Sequence, residues 1–521
     1  MNPTRIPSLS STVSLSTALL AAFAALSASG ADITWNNASG GNWSAAGNWN
    51  PNTVPTEAGA NAVFFGDNAG TFSAPITVTV DALDQGATSI AFSGSANYTI
   101  ASAATTTQFL RMAGFAQQIS STGTGAHQIT ARTNVGSRFG NAEFTATNSS
   151  TGTLTFGDTI RVLGDSTSRV HTLTFGGSGN ISVGAIANAG SQSYTSTIVK
   201  TGAGTLTFRS TTLTGTTNGI RVDQGNVSFN LSAQTFATAI TGDGGVVHSQ
   251  GGRVTLTGAN TYKGGTRIQG VDRVLAIASD GNLGDSAGGV TFASDAGGGS
   301  PVLRIEGTGA FATARDFAIE AGTSGVLAMG ATAGRTATFT GDISGAGNLV
   351  LGTGGTLGGV SGDYVIAGAA THLGDTRIFA SVDGTNKASL LLAESGSLTF
   401  RLGESGVGNR VSGVPGGGTG ANAPTATFAG TFNFDLSGAA TTPGASWTVV
   451  DLATLNPLSS FTGTFNVLGF TESDNVWTSG VYQFSELTGV LSVAAIPEPA
   501  AAAALGGLLA LGAVVSRRRR G

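Results

Sequence analysis

The sequence predicts an all-β protein built as a parallel β-helix, or β-solenoid, with one hydrophobic helix at each terminus. Glycine is abundant, with 81 residues among 521, whereas only 10% of the chain is charged; average chains carry about 7% Gly and about 25% charged residues. The chain is nevertheless 40% hydrophobic, which argues against disorder. Between Gly-rich turns, Thr, Ser and Val recur in short alternating runs, and this pattern is typical of strands separated by frequent turns.

Residues 1–31 have the features of a secretory signal peptide. Arg5 makes the leader positive, the apolar core runs from Leu15 to Leu26, and Ser29-Gly30-Ala31 supplies small residues for cleavage after Ala31. Cleavage after Ala28 and a buried N-terminal helix are the alternatives. A signal peptide implies the Sec export machinery as a partner.

The segment 32–80 differs in composition from the rest of the chain. It holds three of the five tryptophans, Trp35, Trp43 and Trp49. Solenoids need an atypical terminal coil to cover the exposed end of the core. We therefore predict an N-terminal capping segment with the indole rings packed on the first coil, and the alternative is a stacking platform for carbohydrate.

Residues 81–412 contain repeated segments that predict the solenoid. Similar stretches occur as GAGTLTF (202–208), GGRVTLTGANTYKGGTRIQG (251–270) and GAGNLVLGTGG (345–355). Alternation places Leu206 and Phe208 on one face of a strand and Thr205 and Thr207 on the other. An array of β-sandwiches is the alternative, because it also gives short strands with frequent turns.

The stretch LTGANTYKGGTRIQG (256–270) resembles the passenger-associated, or autotransporter-associated, β-strand repeat. The resemblance implies a right-handed parallel β-helix and exposure at the cell surface. Self-export is not implied, because the chain ends in a different kind of segment from the membrane domain of autotransporters.

Two further segments follow the repeats. The stretch 413–424, GVPGGGTGANAP, is predicted to be a Gly-rich loop or linker. Residues 425–495 contain more Phe and fewer Gly clusters, which predicts a C-terminal β segment that closes the solenoid or forms a small β domain.

The tail 496–521 combines three parts in a fixed order. Ile496 is followed by a Pro-Glu-Pro motif, then by the uncharged stretch Ala500–Val515, and finally by four arginines. The apolar stretch predicts a short transmembrane helix, and by the positive-inside rule the arginines anchor its end in the cytoplasm. A plain anchor with a chance Pro-Glu-Pro is the alternative. The residues concerned are Pro497, Glu498, Pro499, Arg517, Arg518, Arg519 and Arg520.

This tail resembles the PEP-CTERM sorting signal of Gram-negative bacteria. The resemblance implies recognition and removal of the tail by an exosortase, an integral membrane processing enzyme. It also implies a mature protein at the cell surface or outside the cell, associated with extracellular polysaccharide or biofilm.

The rest of the sequence offers little catalytic chemistry. There are no cysteines, and the four histidines share no metal-ligand spacing, so we predict no cofactor and no metal. We expect the histidines to lie on solvated walls of the solenoid: His127, His171, His248 and His372. The nearest carboxylate cluster is Asp342, Asp363 and Asp375, and no basic stripe suggests nucleic acid as a partner. The favoured function is a non-enzymatic surface, matrix or adhesion protein. The alternative is a polysaccharide lyase or hydrolase on a β-helix.

The signal peptide gives the first testable prediction. Mature protein isolated from its host should begin at Asp32, because Ser29 and Ala31 present small side chains to the signal peptidase. N-terminal sequencing checks this result. Surface-exposed protein that retains Met1 would contradict it.

Overall fold

The computed structural model describes residues 32–67, 75–103, 108–137, 140–164, 169–189, 195–213, 219–295, 298–330, 333–353 and 359–494. Within these ranges the chain is almost entirely strand and turn, and the helices are five single 3-10 turns. They span Ala46–Asn48, Glu57–Gly59, Asp280–Leu283, Gly420–Asn422 and Leu452–Thr454. The two predicted terminal helices fall on residues outside these ranges.

The strands follow one another around three faces, here called faces 1, 2 and 3. Within each face the strands of successive coils pair in parallel, apart from one antiparallel pair at the N-terminal end. Face 2 is the longest, and the described part of it is one parallel ladder of 17 strands. Its strands are β2 (Gly41–Asn42), β5 (Ile76–Val80), β8 (Tyr98–Ser102), β11 (His127–Ile129), β14 (Leu154–Phe156), β17 (Ile181–Val183), β20 (Thr205–Phe208), β22 (Asn226–Leu231), β25 (Gly245–Gly251), β27 (Thr266–Gln269), β29 (Val290–Ala293), β32 (Phe317–Ile319), β35 (Ile343–Gly345), β38 (Ala369–Ala370), β41 (Ser397–Arg401), β44 (Thr431–Asp435) and β47 (Asn466–Val467).

Face 1 precedes face 2 in each coil and consists of two sheets. The first contains β1 (Asp32–Trp35), β3 (Trp49–Asn50), β4 (Ala62–Phe65), β7 (Ser89–Phe92), β10 (Ala116–Ser121), β13 (Glu143–Asn148), β16 (Val170–Gly176), β19 (Thr195–Lys200), β21 (Ile220–Val222) and β24 (Ile240–Thr241). The second contains β31 (Phe311–Thr313), β34 (Arg335–Phe339), β37 (Gly362–Ile366), β40 (Ala388–Leu392), β43 (Thr425–Phe428) and β46 (Ser460–Phe461).

Face 3 follows face 2 and is also divided. Its first sheet contains β6 (Gly86–Ala87), β9 (Leu110–Met112), β12 (Thr133–Gly136), β15 (Ile160–Leu163) and β18 (Ile186–Ala189). Its second contains β23 (Gln234–Phe236), β26 (Val254–Leu256), β28 (Val274–Ile277), β30 (Val302–Ile305), β33 (Ser324–Met329), β36 (Asn348–Leu351), β39 (Thr376–Ile378) and β42 (Val411–Gly413).

This arrangement confirms the predicted all-β, parallel solenoid architecture. Strand β20 shows its physical basis: Leu206 and Phe208 are fully buried while Thr205 and Thr207 face outward, as alternation predicts. The register aligns apolar residues of successive coils, since Leu206 pairs with Ile181 in the coil before and with Val227 in the coil after. Inward side chains from the three faces therefore form one apolar core that runs from Ile33 to Val493.

Coil length varies while the strands of face 2 stay paired, and between β22 and β25 the pairing shifts by one residue after Ser228. Val246 pairs with Val227, 19 residues earlier, whereas Val467 pairs with Phe432, 35 residues earlier. The additional residues lie between strands, so face 2 remains continuous. At about 4.8 Å for each step between strands, the sixteen steps of this face span roughly 77 Å.

Glycines at the corners let successive coils approach closely. Gly123 and Gly202 have φ of 88° and 68°, a region that residues with a Cβ rarely adopt. A Cβ at either position would also overlap the carbonyl oxygen of the glycine one coil earlier, Gly94 or Gly177. The turns between faces therefore require glycine for both conformation and space.

The sequence repeats do not mark equivalent places in the coil. Arg221, Arg267 and Arg377 occupy the same position in the three similar segments, but they lie on faces 1, 2 and 3 respectively. A strand–turn–strand unit can form any corner of the solenoid. Similar sequences therefore occur at different corners in different coils.

The three N-terminal tryptophans are buried, so their indole rings pack inside the molecule and are not displayed as a stacking platform. The indole of Trp49 contacts those of Trp35 and Trp43, with ring centroids 4.8 Å apart in both pairs. The indole N–H of Trp43 donates to the oxygen of Pro55, and that of Trp49 to the oxygen of Trp43. Segment 32–80 thus carries aromatic packing as well as strands that pair into faces 1 and 2.

The C-terminal segment continues the solenoid before it closes it. Residues 413–424 run from the last residue of β42 to the start of β43 within one coil, and the Gly418 N–H of this loop donates to the oxygen of Ala380. Beyond it lies an antiparallel sheet, here called the C-terminal cap: β45 (Ser446–Thr448), β48 (Thr471–Ser473), β49 (Val476–Ser479), β50 (Tyr482–Ser485) and β51 (Val490–Val493). Phe484 of this sheet packs against Phe432 and Phe461 of the last coils.

A buried arginine supports the junction where face 1 is interrupted, between β24 and β31. The side chain of Arg315 is enclosed and forms an ion pair with Asp280 at 2.8 Å. Its guanidinium also donates to the backbone oxygens of Gly284 and Gly288. Arg315 thereby connects residues 280–288, which contribute no strand to face 1, to the coil that follows them.

The alternation gives the second testable prediction. Leu206→Ala should lower the free energy of unfolding by about 2–5 kcal/mol, because it leaves a cavity in the core. Thr207→Ala, at the adjacent outward position, should change it by about 0.5 kcal/mol or less. Urea denaturation followed by circular dichroism measures both values, and equal effects of the two variants would contradict the inward and outward assignment.

Candidate functional surface

The residues predicted to direct export and sorting lie outside the residues that the structure describes. They are Ala31, Pro497, Glu498, Pro499, Arg517, Arg518, Arg519 and Arg520. The described chain ends at Ala494, whose N–H donates to the oxygen of Val481 at 2.8 Å. The C-terminal cap therefore stands immediately before the predicted sorting motif.

The three carboxylates of the predicted cluster do not converge. Asp342 precedes β35 on face 2, Asp363 lies in β37 on face 1, and Asp375 precedes β39 on face 3. Asp342 accepts from the N–H of Ala369 in the next coil, and Asp363 accepts from the Ser389 hydroxyl at 2.6 Å.

Asp375 has two partners of its own. Its carboxylate accepts from the Arg377 guanidinium and from the backbone N–H of Arg410. Each of the three carboxylates thus has a local partner, and none faces another across a cleft as a pair of catalytic acids would.

The prediction that the histidines lie on solvated walls is wrong, because all four are buried: His127, His171, His248 and His372. The reason is alternation, since each imidazole lies on the inward side of its own coil. The His127 ring stacks on Phe92 with ring centroids 4.5 Å apart, and its Nδ1 accepts from the Tyr98 N–H.

Burial disfavours the charged imidazolium at each of these sites. It lowers the pKa of His127 to about 4 against the opposing attraction of Asp67, and lowers the pKa of His248 and of His372 to about 4. Burial also lowers the pKa of His171. These neutral imidazoles are packing groups, and no substrate can reach them from solvent.

Across the ranges that the structure describes, no group of three or more His, Cys, Asp or Glu side chains is placed to hold a metal ion. Nor does any helix in those ranges have the length and apolarity needed to cross a bilayer.

The most regular surface feature is a column of uncharged polar side chains on the outside of face 2. Parallel pairing aligns these residues one above another, about 4.8 Å apart. Each side chain is either half-buried or exposed, and none is buried: Thr77, Thr99, Gln128, Thr155, Ser182 and Thr207. Over the six successive strands from β5 to β20, the column offers repeated hydrogen-bond donors and acceptors without charge.

Further along the same face lies a shallow groove of ≈ 410 Å³. Its cationic side chains are already paired: Lys263 with Asp243 at 2.9 Å, and Arg267 with Glu320 through two hydrogen bonds of 2.5 and 2.9 Å. These pairs leave little net charge in the groove.

Comparison with known proteins gives one informative relative. Over 202 aligned residues the chain is 28% identical to the protein "Adhesin BmaC autotransporter" of Brucella suis biovar 1 (strain 1330). The alignment covers 33% of this chain but 6% of the relative. No family model matches the chain, and no solved structure matches it. The chain is thus similar, over a limited region, to an adhesin autotransporter that is much longer.

The buried imidazoles give the third testable prediction. In the unfolded chain histidines take up protons near pH 6.5, whereas in the folded protein His127, His248 and His372 do so near pH 4. The unfolded state therefore binds more protons between these values, and the free energy of unfolding should fall as the pH decreases from about 6.5 to 4.

Urea midpoints measured at pH 7 and pH 4.5 check this dependence. His127→Phe removes one titrating group and should reduce the difference between the two midpoints, whereas Gln128→Ala, at the adjacent outward position, should leave it unchanged. A midpoint that is the same at both pH values would show that the histidines are not buried.

Proposed function

We propose that this chain is an exported, non-enzymatic surface or matrix protein that makes adhesive contacts along its solenoid and is sorted by an exosortase-type enzyme. The observation that carries the adhesive role is the similarity to an adhesin autotransporter, found in a chain with a long parallel solenoid. In this proposal the coils wind in a right-handed sense, as the passenger-repeat resemblance and the usual hand of parallel crossovers both favour.

The surface chemistry supports contact with an extended, neutral partner. The column on face 2 repeats hydroxyl and amide groups at the spacing of the strands, and the adjacent groove has its cations paired. Extracellular polysaccharide has the complementary chemistry, because it offers repeated hydroxyls over long distances. The separated positions of Asp342, Asp363 and Asp375 give no support to the alternative of a lyase or hydrolase.

The distribution of charge supports the sorting role of the tail. No Lys or Arg occurs between Arg410 and Arg517, and four arginines then follow in succession. Positive residues close to a membrane span determine which end remains in the cytoplasm. This asymmetry favours an exported body, a temporary span at Ala500–Val515 and a cytoplasmic end. The Pro-Glu-Pro motif would then lie at the outer surface of the membrane, where an exosortase could act.

The adhesive role is tested by deleting the gene and measuring attachment of the host cells to polysaccharide-coated and to abiotic surfaces. The proposal expects attachment to fall, and to recover when the full-length gene is restored. Attachment that is unchanged on both surfaces would contradict it.

The tail gives the fourth testable prediction. Replacing Glu498 by Gln should leave the protein in the membrane fraction with its C-terminus intact, because the processing enzyme would no longer recognise the motif. The wild-type protein should instead lose the tail. The mass of the C-terminal peptide from each protein, isolated from an exosortase-bearing host, is the measurement.

Glu486→Gln is a matched control, because this carboxylate lies in the C-terminal cap, twelve residues before Glu498. It should be processed like the wild type. If mature wild-type protein still carries Arg520, the tail is a plain anchor and the sorting proposal is wrong.

A further inference from the structure

We propose that, before the tail is removed, one edge of the C-terminal cap rests on the outer surface of the membrane that holds the tail. This inference depends on the proposed function, because it requires Ala500–Val515 to span the membrane. The proposed contact surface is part of the folded domain, and its partner is the lipid headgroup layer.

The position of the chain exit defines the edge. Antiparallel pairing aligns Ser479, Tyr482 and Val493 in one row of the cap, and the next row ends the sheet. There the Ala494 N–H donates to the Val481 oxygen, and the Gly444 N–H donates to the Val493 oxygen. The same end of the sheet carries the turn that leads into β48, with Leu468 and Gly469. We call this end the exit edge.

The connection between the exit edge and the span is short. Five residues, 495–499, separate Ala494 from Ala500, and the six Cα–Cα steps between them reach only about 20 Å when fully extended. The headgroup layer on each side of a bilayer is roughly 5–8 Å thick. The exit edge is therefore confined to a narrow zone directly above the headgroups, whatever path the connection takes.

The chemistry of the exit edge suits that zone. Leu468 is 59% exposed and Val481 is 43% exposed, and no ionisable side chain occurs in the segments 441–444, 468–469 and 480–481. Small exposed apolar groups without charge can enter the interface at no cost from desolvating a charge. Glu404 lies outside these segments, on the adjacent loop that hydrogen-bonds to Ala440 through Gly403.

The opposite end of the same sheet has a different character. Its turns carry Asp474 and Glu486, and Leu487 there is 75% exposed. The cap has no Lys or Arg to offset these carboxylates, so anionic lipid headgroups would repel this end. Both the chain connection and the charge thus orient the exit edge toward the membrane and the acidic end away from it.

The test uses the absence of cysteine from the chain. Three single-cysteine variants of the full-length chain, Val481→Cys, Leu468→Cys and Leu487→Cys, are labelled with a fluorophore and reconstituted into liposomes. The liposomes contain phosphatidylglycerol and a lipid with a nitroxide quencher on its headgroup. Leu487→Cys is the matched control, because it places the label at an exposed apolar position of the same sheet but at its acidic end.

We expect quenching of the labels at positions 481 and 468 to be at least threefold stronger than at position 487. Tryptophan fluorescence of each variant verifies that the cap is folded. Equal quenching at the three positions in liposome-bound protein would overturn the membrane-contact surface while leaving the anchor intact. Full-length protein that fails to float with the liposomes would instead contradict the transmembrane tail, and the inference would fall with it.

Discussion

The parallel hydrogen-bonded ladder of face 2 is the constraint on which the rest of the structure depends. From Gly41 to Val467 every coil, as far as the chain is described, returns one strand to this ladder in register with its neighbours. Faces 1 and 3 are each divided into two sheets, and coils differ in length by as much as eighteen residues, from 19 to 37. Within the described residues the strands are interrupted only in faces 1 and 3, and the additional residues lie in the turns between strands. The core therefore continues along face 2 past each interruption.

The stacking of coils also determines which groups surround polar residues that fall on inward positions. Lys200 ends β19 inside the solenoid, and its ammonium donates to the backbone oxygens of Thr201 and Gly202 at 2.6 Å. Burial lowers the pKa of Lys200 to about 8. Arg315 is similarly enclosed by carbonyl oxygens and one carboxylate. Corner carbonyls of stacked coils therefore serve as acceptors for buried cations, and these groups are structural.

Much of the fold could be predicted from local pattern. Alternation in TLTF identified which side chains of β20 face the core, and the cluster of tryptophans indicated packing at the N-terminal end. The same rule could have placed the histidines: in VHTLTF, His171 has the same parity as Leu173 and Phe175, and all three are buried. The prediction of surface positions for the histidines rests on their polarity. The alternation of inward and outward residues in the strand already indicated that His171 faces inward.

Other features depend on long-range stacking and could not be predicted from the sequence. Asp342, Asp363 and Asp375 are close together along the chain, but a coil of 26 to 27 residues distributes nearby residues over three different faces. The exit edge of the cap is another such feature, since it brings together Gly444, Leu468 and Val481 through antiparallel pairing. Proximity in sequence is a poor guide to proximity in space when each coil passes around the whole molecule.

A solenoid with a regular, uncharged outer column leads into the C-terminal cap, and the predicted sorting tail follows the cap in the sequence. We propose that the solenoid surface binds an extended partner and performs no chemistry on it. The most direct measurement incubates mature protein with a panel of extracellular polysaccharides and determines both the bound protein and the sugar ends released. The account predicts binding to at least one polysaccharide with no release of reducing or unsaturated ends. Release of either kind of end in proportion to protein concentration would contradict it.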